Sequence, residues 1–127
     1  MATDEPRQAR EQRLSQKCLQ HATTCMHQRD YGRAFARYLL VLKLTPDLKA
    51  DIRENFTLAL REWGEELEMS GRVTDLLQCY DQACQLFPEC EAILSNMGAQ
   101  LFRYICFSIW HLLLPYIPVV QMAVVFF

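Results

Sequence analysis

The chain has 127 residues, 51% of them apolar, with 13 basic and 15 acidic side chains and a formal net charge of -2. That length holds one domain with a modest core and excludes a cofactor-binding enzyme with regulatory parts attached. The near-neutral balance excludes a nucleic-acid binder, because phosphate recognition needs a clustered basic face. The average conceals a break: every charged residue lies between Asp4 and Arg103, whereas Tyr104 to Phe127 has none and 19 of its 24 residues are apolar.

In chain order, residues 1–13 are polar, contain Pro6 and lack apolar periodicity, so a disordered arm is expected there. Leu14, Cys18, His21, Ala22 and Cys25 then share one stripe of a helix running to about Gln28. A second helix carries Ala34, Phe35, Tyr38, Val41 and Leu42 and stops at Thr45-Pro46, since proline cannot continue a helix that needs its N–H. Asp47 is the expected N-cap of a third helix through Ile52, Phe56, Leu60, Trp63 and Leu67, closed by Gly71. Val73 to Phe87 repeats the second helix and again ends on a proline, Pro88, and Glu89 to Arg103 opens a fifth helix. No stretch up to Arg103 alternates with period two, so the fold class is all-α, built from antiparallel pairs.

Aligning Pro46 with Pro88 superposes Tyr38 on Tyr80 at a period of 42 residues. The pattern resembles the tetratricopeptide repeat, a 34-residue helix-turn-helix unit with small residues at the helix crossing and a terminal proline. Ala22, Ala34, Tyr38 and Pro46 occupy its positions in the first unit, and Gly64, Leu76, Tyr80, Ala83 and Pro88 in the second. Gly98 marks a third first-helix, giving two units plus one helix of a third. The eight extra residues fit a third helix that is about two turns longer.

The longer runs Tyr31 to Leu42, Trp63 to Leu67, Asp75 to Tyr80 and Asn96 to Arg103 resemble the N-terminal tetratricopeptide region of the protein arginine N-methyltransferase family, in the branch that carries such repeats. The resemblance covers roughly residues 15–103 and stops after Arg103, where the family turns into the next helix. It implies a parent activity, S-adenosylmethionine-dependent methylation of protein arginine, carried by modules beyond the repeats. It also implies a protein or peptide partner, or those methyltransferase modules, docking on a groove lined by Gln16, Leu19, Thr23 and Met26 in the first unit. The groove continues with Leu58, Arg61 and Glu65 in the second unit and Ser95 and Ala99 in the third. Leu19 and Thr23 stand where a chaperone-tail carboxylate clamp would need Lys and Asn, so such tails are not expected ligands.

For chemistry, the chain has no Gly-rich strand-to-helix turn, phosphate loop or Gly-x-Ser-x-Gly, so it is expected to bind no cofactor and to catalyse nothing. Glu65 and Glu66 are adjacent on a helix and point about 100° apart, which suits a solvated face. Cys18, His21 and Cys25 share a helical face that could hold zinc, but free cysteine also packs as a small hydrophobe, and a core stripe is the expectation. All six cysteines (Cys18, Cys25, Cys79, Cys84, Cys90 and Cys106) are expected to be reduced, because Met1 to Pro6 has no apolar signal segment.

Residues 104–127 are expected to be a segment foreign to the repeat, the product of a truncated or alternatively spliced frame, which makes 14–103 the repeat domain. Cytoplasmic or nuclear location follows. The rival expectation is a membrane tail anchor holding a repeat adaptor, motivated by length and hydrophobicity but opposed by Pro115 and Pro118. A further alternative is a tail folded back over the groove.

Overall fold

The computed structural model describes residues 6–116 and 118. Five helices form the chain: α1 Arg7–His27, α2 Tyr31–Leu44, α3 Lys49–Met69, α4 Val73–Leu86 and α5 Glu91–Leu113. Short 3-10 turns occupy Pro46–Leu48 and Leu114–Tyr116, and no strand occurs among the described residues. The all-helical repeat expected from the sequence is what forms.

The repeat is carried into geometry. α1 and α3 both have 21 residues and α2 and α4 both have 14, and each second member begins 42 residues after its counterpart. The terminating residues share conformation as well. Thr45 (φ -139, ψ 79) and Phe87 (φ -131, ψ 69) precede the two prolines in the extended region that proline imposes on its predecessor.

Two expectations need correction. Residues 7–13, expected to be disordered, form the first two turns of α1. Arg, Gln, Ala and Glu are all good helix formers, and Pro6 supplies a φ of -53 ready to start a helix. An i,i+4 pair between Arg7 and Glu11 at 3.0 Å adds modest support. This extension matches the first two turns of α3, so both first helices are lengthened alike. Asp47, expected as the N-cap of the third helix, instead lies inside the 3-10 turn, and Leu48 precedes α3 without a side-chain capping bond. The proline-led turn uses up the residue that would have capped.

α5 also departs from expectation, because it does not stop at Arg103 and continues to Leu113. Nothing in Tyr104 to Leu113 breaks a helix, since the first following proline is Pro115.

A single core runs through the stack. Ala22, Cys25, Ala34, Tyr38, Phe56, Leu60, Leu67, Leu76, Tyr80, Ala83 and Ile93 are among its buried side chains. Phe56 sits at its centre, with ring centroids 5.2 Å from Phe35 and 5.3 Å from Phe87, and so ties the extension of α3 to α2 and to the end of α4. Gly32 lies under the Trp63 ring, where an added Cβ would come within 3.0 Å of it. Arg72 stacks on the same ring at 5.6 Å.

The two hairpin turns use one device with unequal residues. After α1 the Asp30 amide donates to the Cys25 carbonyl at 2.8 Å, and after α3 the Arg72 amide donates to the Leu67 carbonyl at 2.8 Å. Each turn puts one residue in the left-handed region: Gly71 at φ 72, which glycine tolerates, and Arg29 at φ 58, which strains an L side chain. Replacement Arg29→Gly should therefore stabilise the fold by roughly 0.5–1 kcal/mol, after the extra freedom of glycine in the unfolded chain is subtracted. A raised urea midpoint with an unchanged slope is the expected result.

Candidate docking site

α5 crosses α3 at a point where the α3 backbone lacks bulk. Gly64 is buried, and a Cβ there would fall 2.5 Å from Oε1 of Gln100. Gln100 is only 2% exposed, and its Nε2 donates to the Arg61 carbonyl at 3.0 Å. A glutamine amide thus lies flat against the neighbouring helix where a side chain would otherwise stand. Beside this crossing, Arg103 forks onto Glu68, with Nε–Oε1 at 3.3 Å and Nη2–Oε2 at 3.1 Å. That pair holds the middle of α5 to the end of α3, and Glu68 raises the Arg103 pKa further above its ordinary value.

On one side of the crossing an open cleft of about 600 Å³ forms between α3 and the start of α5. Arg53, Glu54, Thr57, Leu58 and Arg61 make the α3 wall, and Glu89, Cys90, Glu91, Ala92 and Asn96 the other. Arg53, Thr57 and Arg61 recur every four residues and so share a stripe. Thr57 donates its hydroxyl to the Arg53 carbonyl at 2.7 Å and Arg61 pairs with Glu62 at 3.2 Å, while no carboxylate pairs with Arg53 among the described residues. The cleft therefore offers Arg53 and Arg61 with Glu54 on one wall, Glu89 and Glu91 on the other and Leu58 as an exposed apolar contact. It can grip a protein segment through charge and one or two side-chain anchors.

The nine groove residues taken from the family resemblance distribute unevenly. Leu58 and Arg61 line this cleft. Ser95 and Ala99 are exposed on α5, outside its lining. Gln16 lines a small cavity with Gln12, Ser15, Thr45 and Leu48, and Glu65 lines another with Glu68, Met69 and Arg103. Leu19 and Met26 are half-buried against the core, and exposed Thr23 bonds its hydroxyl back to the Leu19 carbonyl at 3.0 Å. Arg53, Glu54, Glu89, Glu91 and Asn96 were missed by sequence reasoning. The available signal was the two-turn lengthening of the third helix, which projects Arg53 and Glu54 past the start of α5.

The residues weighed for chemistry divide between the core and the surface. Cys25 is buried and Cys18 is half-buried against the core, but His21, expected on the same core stripe, is exposed, because the stripe that α1 buries is narrower than the face these residues share; no group of three metal-ligating side chains occurs among the described residues. All six cysteines are free. Burial pushes the Cys79 thiol up, against opposing effects of Trp63 and Arg72, and so works against the thiolate that nucleophilic chemistry needs. Glu65 and Glu66 are both exposed. Burial likewise raises the phenols of Tyr80 and Tyr38 above their ordinary value.

Two outcomes follow. Gly64→Ala should cost about 1–3 kcal/mol, because the added methyl displaces the Gln100 amide from its bond. The penalty should shrink in a Gly64→Ala, Gln100→Ala double variant, measured by urea unfolding. Stability should also be lost in alkali. The unfolded thiol and phenols release protons near their ordinary values while the folded state holds them. The contribution of these three groups is thus fully present below the Cys79 range, is lost from about pH 9, and is lost more steeply above about pH 10 by at most roughly 1.4 kcal/mol per pH unit for each tyrosine. Tyr38→Phe and Tyr80→Phe should each flatten that limb in a pH series of denaturant midpoints.

No protein-family model matches the chain. Over 91 residues, 72% of its length, it is 50% identical to protein arginine N-methyltransferase 9 of Mus musculus. It is 49% identical over 90 residues, 71% of its length, to the Homo sapiens protein of that name, and 44% identical over 95 residues, 75% of its length, to the Xenopus laevis one. The matched stretches amount to 11%, 11% and 12% of those proteins, so the chain spans about a tenth of the length of the curated relatives it matches. The resemblance to arginine methyltransferases drawn from the runs at Tyr31 and Asn96 is borne out.

Proposed function

We propose, with that similarity as the premise, that the chain is a non-catalytic docking module of an arginine methyltransferase-like protein, holding a protein segment in the cleft between α3 and α5. The observation that carries this is the cleft itself. It is open, built on two rigid helices and furnished with Arg53 and Arg61 facing Glu89 and Glu91. Such a surface recognises a segment that alternates charge around an apolar anchor, with Leu58 receiving the anchor. The relatives' name assigns them the methylation of protein arginine, and a docking module serves such an enzyme by raising the local concentration of its protein substrate. The alternative membrane-tethered adaptor has less support, because no described helix is long and apolar enough to cross a membrane. Part of the 104–127 segment lies outside the described residues.

The test is selection of binders from a displayed random-peptide library on the immobilised full chain. Leu58→Asp and Arg61→Glu, both at exposed positions, should each weaken the selected peptides at least tenfold while leaving the helical circular-dichroism signal unchanged. Peptides indifferent to both substitutions would place docking elsewhere. Transfer of a labelled methyl group from S-adenosylmethionine to any protein by the purified chain would overturn the non-catalytic assignment.

A further inference from the structure

The side of α5 turned away from the cleft has no covering element among the described residues. Leu94, Gly98, Leu101, Ile105, Ile109 and Leu112 follow one another at spacings of four, three, four, four and three, so they form a single stripe about 27 Å long. Leu94, Ile105, Ile109 and Leu112 are between 43% and 72% exposed. A Cβ added at Gly98 would meet nothing within 4 Å, whereas the equivalent Gly64 is tightly covered. The repeat explains the vacancy: Leu94, Gly98 and Leu101 stand where Leu60, Gly64 and Leu67 stand in α3, and those three are buried. Between Leu94 and Leu112 the only formal charge is Arg103, which is drawn to Glu68 and away from the stripe.

We propose that a second copy of this chain covers the stripe, the two α5 helices packing antiparallel about a two-fold axis near residue 103. Length favours this occupant. A second helix of the kind already present here has 14 residues and spans about 21 Å, which is too short for the stripe, whereas α5 has 23 and matches it. The stripe is also self-complementary, as a two-fold interface requires. Antiparallel pairing sets Leu94 against Leu112, Leu101 against Ile105 and the gap at Gly98 against Ile109, and brings no like charges together. The stripe with neighbouring Phe102, 68% exposed, offers on the order of 600 Å² of apolar side chain. With a polar rim, that approaches the roughly 800 Å² per partner of a standard specific interface, and it stands at the upper end of the roughly 300–600 Å² that the largest patch on a monomer usually covers.

The experiment is light scattering coupled to gel filtration on the full chain at concentrations up to about 50 µM, where micromolar association is visible. The expected mass is twice 14.9 kDa. The Ile105→Glu, Ile109→Glu double variant should return it to the single-chain value with helical content retained. Should that variant lose its helical signal, Gly98→Trp decides the matter: it fills the gap without adding charge and should weaken the dimer at least tenfold. Leu58→Asp, in the cleft, should leave the mass unchanged. A monomeric wild type, a dimer insensitive to these stripe variants, open-ended aggregates, or flotation of the protein with phosphatidylcholine vesicles would each overturn the proposal.

Discussion

The organisation of this molecule hinges on the crossing of α3 and α5, where glycine at position 64 lets the Gln100 amide lie against a neighbouring helix backbone. A larger residue would hold the two helices apart, because a buried side chain has no room to yield in a close-packed interior. The crossing fixes the direction in which α5 leaves the stack. From that direction follow the cleft on one side of α5 and the uncovered apolar stripe on the other. Glu68 and Arg103 reinforce the geometry from the surface, but an exposed ion pair contributes little by itself.

The two-turn extensions of α1 and α3 give the fold its period of 42 residues. The extension of α3 is fastened by Phe56 between Phe35 and Phe87, so it is a rigid part of the core and not a frayed end. That rigidity lets Arg53 and Glu54 serve as a wall. α5 lacks the extension: Glu91 stands seven residues before Gly98, as Thr57 stands seven before Gly64, but helix begins there and not eight residues earlier. The mismatch in length between neighbouring first helices opens the cleft. The cleft depends less on any single side chain than on a difference between consecutive repeats.

The charge break at Arg103 has a different meaning in three dimensions. In composition it separates a charged domain from an apolar tail. In the structure α5 passes through it without interruption, and the change shows only as a rise in exposed apolar surface along the helix, from Phe102 to Leu113. An ordinary repeat would turn near this point and send a second helix back over Leu94, Gly98 and Leu101. Helix propensity in Tyr104 to Leu113 instead carries the chain straight on, and the face that awaited a partner stays open.

What the sequence determined by itself is the fold class, the helix order, both proline stops, the glycine closing α3 and most of the core. Those features are written in local signals: apolar residues at helical spacing, Pro46 and Pro88 without their N–H, and Gly71 in the left-handed region. The similarity to arginine methyltransferases was legible too, in stretches such as Tyr31 to Leu42 and Asn96 to Arg103. What only tertiary structure decided was which surfaces are free. Polar residues 7–13 carry no periodicity that marks them as helix, and their helical state follows from propensity and from α1 matching α3. Arg53, Glu89 and Glu91 are far apart in sequence and meet because α5 starts late, which no local pattern records. The covering of Gly64 and the openness of Gly98 are likewise invisible in two identical letters, since burial is a property of what lies across from a residue and not of the residue itself.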